Sequence, residues 1–367
     1  MFTNQNNLKN HTFFMNLALA EAKKNLGKTK ENPSVGCVIT KNNSVIGIGS
    51  TSIGGRPHAE HNAINFSKKI VKGSKIYVTL EPCSHYGVTQ PCTNLIIRNK
   101  LKQVLFSIKD PDFRSYNKSK QIFKNKKVHV INGICSSLTN DFYRSYFKLK
   151  NNLLPFISIK IAVSKDYYSI NKRKKWITNN YSRARGHLLR SYHDCILTTS
   201  NTIIADNPRL TCRISGLSHK SPARIIFDNK LRVPLKSKVI KESLKYRTII
   251  FFNKSNIRKI KLLKKKGIET YKISNDEEGN LDLKVAMLKA RDLGFNRILI
   301  ESGMTLINNF LINNLADDFN LFISNKNLGK NGQCNIKKKI KFFLGKKNKI
   351  NERVNLFGDK LINYKIN

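Results

Sequence analysis

The chain has 367 residues, 40% of them hydrophobic, and 68 Lys and Arg against 23 Asp and Glu give a formal net charge of +45. That length exceeds what one compact core usually organises, so two domains are expected. No stretch reaches the length of a membrane span, the opening MFTNQNNLKNHTFF holds no apolar leader run, and seven scattered cysteines read as thiols of a reducing cytoplasm, not as a disulfide framework. The charge invites a nucleic-acid reading, but Lys is spread with Asn and Ile through runs such as KLLKKKG and IKKKIKFFLGKKNKI, without one patch of interleaved aromatics. A diffuse positive field that attracts phosphorylated small substrates is expected, with no nucleic-acid or membrane partner.

In chain order, FFMNLALAEAKKNL (13–26) reads as an amphipathic helix, followed by strands at 34–40 (SVGCVIT) and 44–50 (SVIGIGS). A helix opening at HAE (58–60), a strand KIYVTL (75–80), a loop from Cys83 to Cys92 with a helix after it, and strands at 103–108 and 127–131 complete a first unit. Helices alternating with short buried strands predict a sheet covered on both faces. FKLKNNLLPF (147–156) reads as a linker, and a second unit begins with FISIKIAV (156–163). Further strands are expected at CILTTS (195–200), RIIFD (224–228), RTIIFF (247–252) and RILIES (297–302), and a last strand pair around Gly358-Asp359.

Within the first unit, HAEHNA (58–63) and TLEPCSHYGVTQPC (79–92) set out His58, Glu60, Cys83 and Cys92 as H-x-E … P-C-(x)8-C. Two thiolates and an imidazole are three ligands for a tetrahedral zinc, with the fourth position left for water. Glu60, two residues after the histidine, stands close to that metal without being needed as a ligand, the place for a proton shuttle to a leaving amine. Any one of these residues alone is more often a core or surface residue; their conjunction behind Pro82 and an apolar strand carries the zinc-hydrolytic reading.

Over residues 10 to 360 the chain resembles the bifunctional riboflavin-biosynthesis deaminase/reductase family. The marks are NPSVGCV (32–38), PHAEHNA (57–63) and EPCSHYGVTQPC (81–92), then WIT (176–178), HLLRSYHDCILTTSNTIIADNPRLTCR (187–213), PARIIFDNKLRVP (222–234) and ESGMTL (301–306). The resemblance implies an α/β fold: a cytidine-deaminase-like α/β/α sandwich over 1–150 and a dihydrofolate-reductase-like α/β domain over 151–367. It implies Zn2+ on His58, Cys83 and Cys92, Glu60 as the catalytic acid–base, and deamination of a diaminopyrimidinone bearing a ribosylamino 5′-phosphate. NADPH then reduces the ribosyl side chain to ribityl. The eight-residue gap between the cysteines resembles this family and differs from the C-x-x-C of deaminases that act on nucleic acids.

By the same resemblance, Val163, Trp176, Thr202, Asp206, Asn229 and the segment Gly303, Met304, Thr305, Leu306, Ile307, Asn308 and Asn309 contact NADPH. Substrate contacts fall on Asn32, Lys174, Arg190, Leu210, Arg213 and Glu301, the two arginines suiting a 5′-phosphate. A homodimer formed through the reductase domain and a cytoplasmic location are also implied. Several positions depart from the family pattern. Tyr167 and Tyr168 replace a glycine and a basic residue, NKRKK (171–175) shortens the element before Trp176, and Ser324-Asn325 replaces an alanine-proline pair. Val88 stands in the cysteine loop where relatives often carry a basic residue, and Asp112-Phe113 replaces an Asn-Pro pair. Three readings follow: the bifunctional enzyme, a deaminase whose second domain has become a scaffold, and a deaminase that binds nucleic acid.

Overall fold

The computed structural model describes residues 2–68, 70–151, 154–352 and 354–366, and the chain divides into two compact units, 1–153 and 154–367. No helix among the described residues is long and apolar enough to cross a membrane.

The first unit is a five-stranded sheet of order β2-β1-β3-β4-β5, built from β1 (Gly36–Lys41), β2 (Ser44–Ser50), β3 (Lys75–Leu80), β4 (Gln103–Ile108) and β5 (His129–Asn132). β1 runs antiparallel to β2 and β3, and β3, β4 and β5 are parallel. Lys41 pairs with Ser44 across a two-residue turn in which Asn42 and Asn43 hold φ of 50° and 59°, the left-handed pair that matches hairpin twist. Alternation along the strands sends Val38, Tyr77 and Leu105 to the helix Phe2–Lys24 on one face. It sends Cys37, Ile39, Ile76, Val78 and Phe106 to the other, against Ala63, Ile96 and Phe123 of the helices Ala59–Phe66, Cys92–Arg98 and Ser119–Asn125. The sheet is covered on both faces, as its pattern predicts. Gly36 lies against the backbone of Ala18, and Gly49 against that of Ala59 and Ala63, approaches that leave no room for a Cβ. The helix that carries Glu60 is thereby held at backbone distance from β2.

Residues 147–151 are not linker but the last turn of the helix Ser136–Asn151, which continues the Tyr143, Tyr146 and Phe147 face. Asn152 and Leu153 of the expected linker lie outside the described residues.

The second unit holds a nine-stranded sheet of order β11-β10-β9-β8-β12-β6-β13-β16-β15 and a separate antiparallel pair, β14-β7. The strands are β6 (Phe156–Val163), β7 (Tyr168–Asn171), β8 (Cys195–Thr199), β9 (Ala223–Phe227), β10 (Thr248–Phe252), β11 (Glu269–Lys272), β12 (Arg297–Ile300), β13 (Asp318–Ile323), β14 (Gly332–Asn335), β15 (Asn348–Asn351) and β16 (Lys360–Lys365). From β11 to β13 all neighbours are parallel; β16 and β15 close the sheet antiparallel. Successive positions within each strand serve opposite faces: Leu197, Ile225, Phe251 and Ile300 enter one core, while their strand neighbours Ile196, Ile226, Ile250 and Leu299 enter the other. The terminal strand pair is β15 with β16, and the residues around Gly358-Asp359 form the turn before β16, closed by a Leu356–Asp359 bridge. Arg353 and Asn367 of that segment lie outside the described residues.

Candidate active sites

His58 is the N-cap of the helix Ala59–Phe66, in extended backbone that turns its ring inward, and Glu60 sits in that helix's first turn, 3% exposed. Cys83 comes three residues after β3, and Cys92 opens the helix Cys92–Arg98. His58 Nδ1 lies 3.7 Å from Cys83 Sγ and 3.4 Å from Cys92 Sγ, and the three ligand atoms are all within 4.8 Å of one another. The loop between the cysteines is tied at its base. Cys92 N–H donates to Cys83 Sγ at 3.3 Å and Thr93 N–H to the Cys83 carbonyl at 3.2 Å, while Tyr86 and Val88 at the tip are exposed.

Charge in the cluster is already uneven. Hydrogen bonds from Cys92 and His58 bring the Cys83 thiol down to about 4 against the effect of burial. The hydrogen bond with Cys83 raises His58, and the bond to Cys83 together with burial raises Cys92. Burial, then the Cys83 charge, raises Glu60. Two sulfurs and one imidazole nitrogen converging at this spacing, with a buried acid beside them, fit a zinc ion. Nδ1, the nitrogen facing the sulfurs, is the one that would take the metal; Nε2 is buried without a hydrogen-bond partner among the described residues.

The cavity over this cluster is lined on one side by Asn32, held in a turn by its N–H to the Thr29 carbonyl (3.1 Å). The far wall is a network that sequence reading missed. Glu81, 3% exposed, accepts from the N–H groups of Asp110, Asn117 and Ser119 and from Ser119 Oγ at 2.7 Å. Tyr146 Oη donates to Asp110 Oδ1 at 3.0 Å. Asp112 accepts from Arg114 at 2.7 Å and Lys150 at 2.9 Å, and its carboxyl is held well below the usual range chiefly by the Arg114 hydrogen bond. Their partners lie up to 38 residues apart, and only the E-P-C and D-P-D strings hinted at them.

In the second unit the expected residues gather at the carboxyl edge of the parallel strands, where open α/β sheets bind ligands. Val163 ends β6 and accepts from Ser324 N–H beyond β13 at 2.8 Å. Glu301, just past β12, forms a two-pronged pair with Arg190 (2.7 and 2.8 Å), whose Nη1 also donates to the Thr211 carbonyl at 2.9 Å. Burial pushes the Glu301 carboxyl up, but Arg190 outweighs it and holds the group at about 2. His187 is lowered to about 4 by burial and by Arg190 and Arg213, so it is neutral at pH 7. Thr202 and Thr199 hydroxyls meet Ser302 Oγ at 3.3 and 3.2 Å, beside Gly303, the N-cap of the helix Met304–Ile312. That helix start offers backbone N–H groups to an anion. Thr305 and Asn309 are in it; Leu306 and Ile307 are buried, so their side chains belong to the core, and Asn308 Oδ1 is buried without a partner.

Other expected residues lie at the margin of this group or in solvent. Asn229 is fixed near the end of β9 by its Nδ2 bond to the Gly279 carbonyl (2.8 Å). Leu210, at φ 58°, is buried with Ile196, Ile203 and Ile226, which commits its side chain to packing. Arg213 is exposed. Lys174, Trp176 and Asp206 are exposed, and no hydrogen bond or ion pair among the described residues links them to Glu301 or Gly303; Trp176 lies under Arg183, 5.0 Å from its ring centroid. Lys160 was missed: it projects from β6, and burial lowers its ammonium against the opposing pull of Glu301.

A thiol–thiol–imidazole site with a buried acid in one α/β unit is the donor set of a zinc hydrolase, and the next unit is an open parallel sheet with a polar carboxyl edge suited to a ligand. Residues 8–108 match the family model "Cytidine and deoxycytidylate deaminase zinc-binding region", and residues 155–346 match "RibD C-terminal domain". The riboflavin biosynthesis protein RibD of Aquifex aeolicus is 34% identical over 86% of this chain and 87% of its own length. That of Bacillus amyloliquefaciens is 30% identical over 85% and 84%. A solved diaminohydroxyphosphoribosylaminopyrimidine deaminase/5-amino-6-(5-phosphoribosylamino)uracil reductase from Thermotoga maritima superposes with a TM-score of 0.81, at 27% identity, over 98% of this chain and all of that one. The chain belongs to the RibD family of riboflavin biosynthesis, deaminase and reductase in one polypeptide.

Proposed function

We propose that this chain deaminates 2,5-diamino-6-(5-phosphoribosylamino)pyrimidin-4(3H)-one and then reduces the ribosyl side chain of the product to ribityl. The observation that carries the reading is the convergence of His58, Cys83 and Cys92 beside buried Glu60. His58, Cys83 and Cys92 would hold the zinc, whose chemistry when bound would be the activation of water at neutral pH. Glu60, whose carboxylate burial makes more basic than usual, would accept a proton from the attacking water and return it to the departing nitrogen. Asn32 and the Asp110–Tyr146 wall orient the pyrimidine across the same cavity.

For the second step, NADPH supplies the hydride. Val163, Thr202, Asn229 and the Gly303–Asn309 turn would hold it along the sheet's carboxyl edge, with Trp176 and Asp206 at its periphery. Arg190 is locked to Glu301, so of the two arginines exposed Arg213 is the one left to meet the substrate phosphate, with Lys174 and the Leu210 backbone as further contacts. A cytoplasmic, homodimeric enzyme belongs to the same reading; all seven cysteines are free thiols.

The test is turnover of the diamino substrate by zinc-loaded protein, resolved by mass spectrometry with and without NADPH. Deaminated product without NADPH, becoming the ribityl compound when NADPH is added, is the expected result, and Glu60→Gln should lower deamination by about 10²–10⁴-fold with zinc retained. Deamination that stops there would leave the second unit as a scaffold. Against that alternative, the turn carrying Tyr167 is fully hydrogen-bonded in its left-handed form, with Tyr167 N–H on the Ser164 carbonyl (2.9 Å) and Ser164 N–H on that of Tyr168 (2.9 Å).

A further inference from the structure

We propose that Arg56 is the residue that binds the substrate's phosphate in the deaminase site, standing in for the cation that Val88 does not provide. The inference rests on the phosphorylated substrate proposed above. Three side chains of permanent or near-permanent positive charge line the cavity over the zinc ligands: Arg56, Arg114 and Lys150. Arg114 and Lys150 are both spent on the Asp112 carboxylate, at 2.7 and 2.9 Å. Arg56 differs. Its Nη1 donates to Thr89 Oγ1 at 2.7 Å, and no carboxylate among the described residues is paired with it. Its guanidinium therefore keeps most of its five N–H donors and its whole charge for a ligand.

Location supports the same assignment. The other guanidinium nitrogen, Nη2, lies 3.5 Å from where a Cβ on Gly87 would stand, so Arg56 rests on the loop residue next to Val88. Val88 itself is 85% exposed and faces water. Arg56 thus reaches, from the segment before His58, the two loop residues that flank Val88, Gly87 and Thr89, while lining the cavity itself. A guanidinium there gives two-pronged phosphate recognition at the mouth, with the pyrimidine directed inward to Glu60.

The test compares kcat and KM for deamination of the phosphorylated substrate and its dephosphorylated nucleoside form, in zinc-loaded full-length protein. The variants are wild type, Arg56→Gln, Arg56→Lys and the double variant Arg56→Gln/Val88→Lys, each assayed for zinc content. Arg56→Gln is expected to raise KM for the phosphorylated substrate about 10- to 100-fold with little change in kcat. Its KM for the nucleoside form should stay near wild type, Arg56→Lys should lose less, and the Val88→Lys addition should restore much of the loss. Equal effects on both substrates, loss of zinc from Arg56→Gln, or no effect would overturn the assignment while leaving the deaminase reading standing. A wild-type protein that binds zinc but deaminates neither substrate would overturn both.

Discussion

Asp110 shows how a single carboxyl on the cavity wall ties the first unit to pH. It is 6% exposed, accepts from Tyr146 Oη and Asp112 N–H, and burial raises it to about 6. Of the neighbouring charges, Asp112 raises it and Lys150 lowers it, both by less than burial does. A carboxyl raised above its unfolded value of 3.8 stabilises the fold while protonated. Its contribution is complete below about pH 4 and is lost as pH rises through about 6. Asp110→Asn, neutral at every pH, should therefore match wild type near pH 4 and exceed it at pH 7, by at most roughly 3 kcal/mol. Urea denaturation of both proteins from pH 4 to 7 checks this; parallel stability curves would contradict it.

At the scale of elements, the turn between β6 and β7 carries the departure that looked most damaging in the sequence. Tyr167 stands where a glycine is expected and holds φ 65°, at a cost of about 1–2 kcal/mol for an L-residue. The side chain offsets part of this by packing against the main core of the second unit. Tyr167→Ala keeps the strain and loses the packing, whereas Tyr167→Gly loses both. The alanine variant should then be the less stable of the two by roughly 1 kcal/mol in chemical unfolding. Legibility in the sequence follows the same division between local and distant causes. His58, Glu60, Cys83 and Cys92 are readable because metal chemistry constrains short spacings. The strands at 103–108 and 156–163 are readable because burial on both faces makes them predominantly apolar, with only Gln103, Ser107, Ser158 and Lys160 polar. YSIN, ETYK, GQCN and NKIN carry no such signal, being short edge or accessory strands whose formation depends on partners elsewhere. Arg224 is another such case. It lies wholly buried in β9, its guanidinium satisfied by Thr248 Oγ1 and three carbonyls, a setting no local pattern announces.

For the molecule as a whole, the zinc-ligand cluster lies entirely within residues 1–153 and the Arg190–Glu301 edge entirely within 154–367. Each unit also has its own cores. Removing zinc should therefore silence only one half. Treatment with a strong chelator is expected to abolish deamination while reduction of the already deaminated substrate by NADPH continues at near its original rate. Loss of both activities together would show that the second unit depends on the metal. The charge of +45 belongs to this scale as well, since it arises from lysines dispersed over both units. It should appear as a salt dependence of KM for phosphorylated substrates in both reactions.

The tie at the base of the cysteine loop has a consequence for how such an enzyme diverges. Cys83 and Cys92 are fixed to each other by the backbone bonds of Cys92 and Thr93, whatever stands between them. The intervening stretch is mostly open to water, and lengthening such a segment is thermodynamically cheap, about 0.6 kcal/mol for each doubling. Substitutions at the exposed tip, at Tyr86 and Val88, can therefore accumulate without disturbing hydrolysis. Preference for one substrate over another can drift on a different clock from the chemistry.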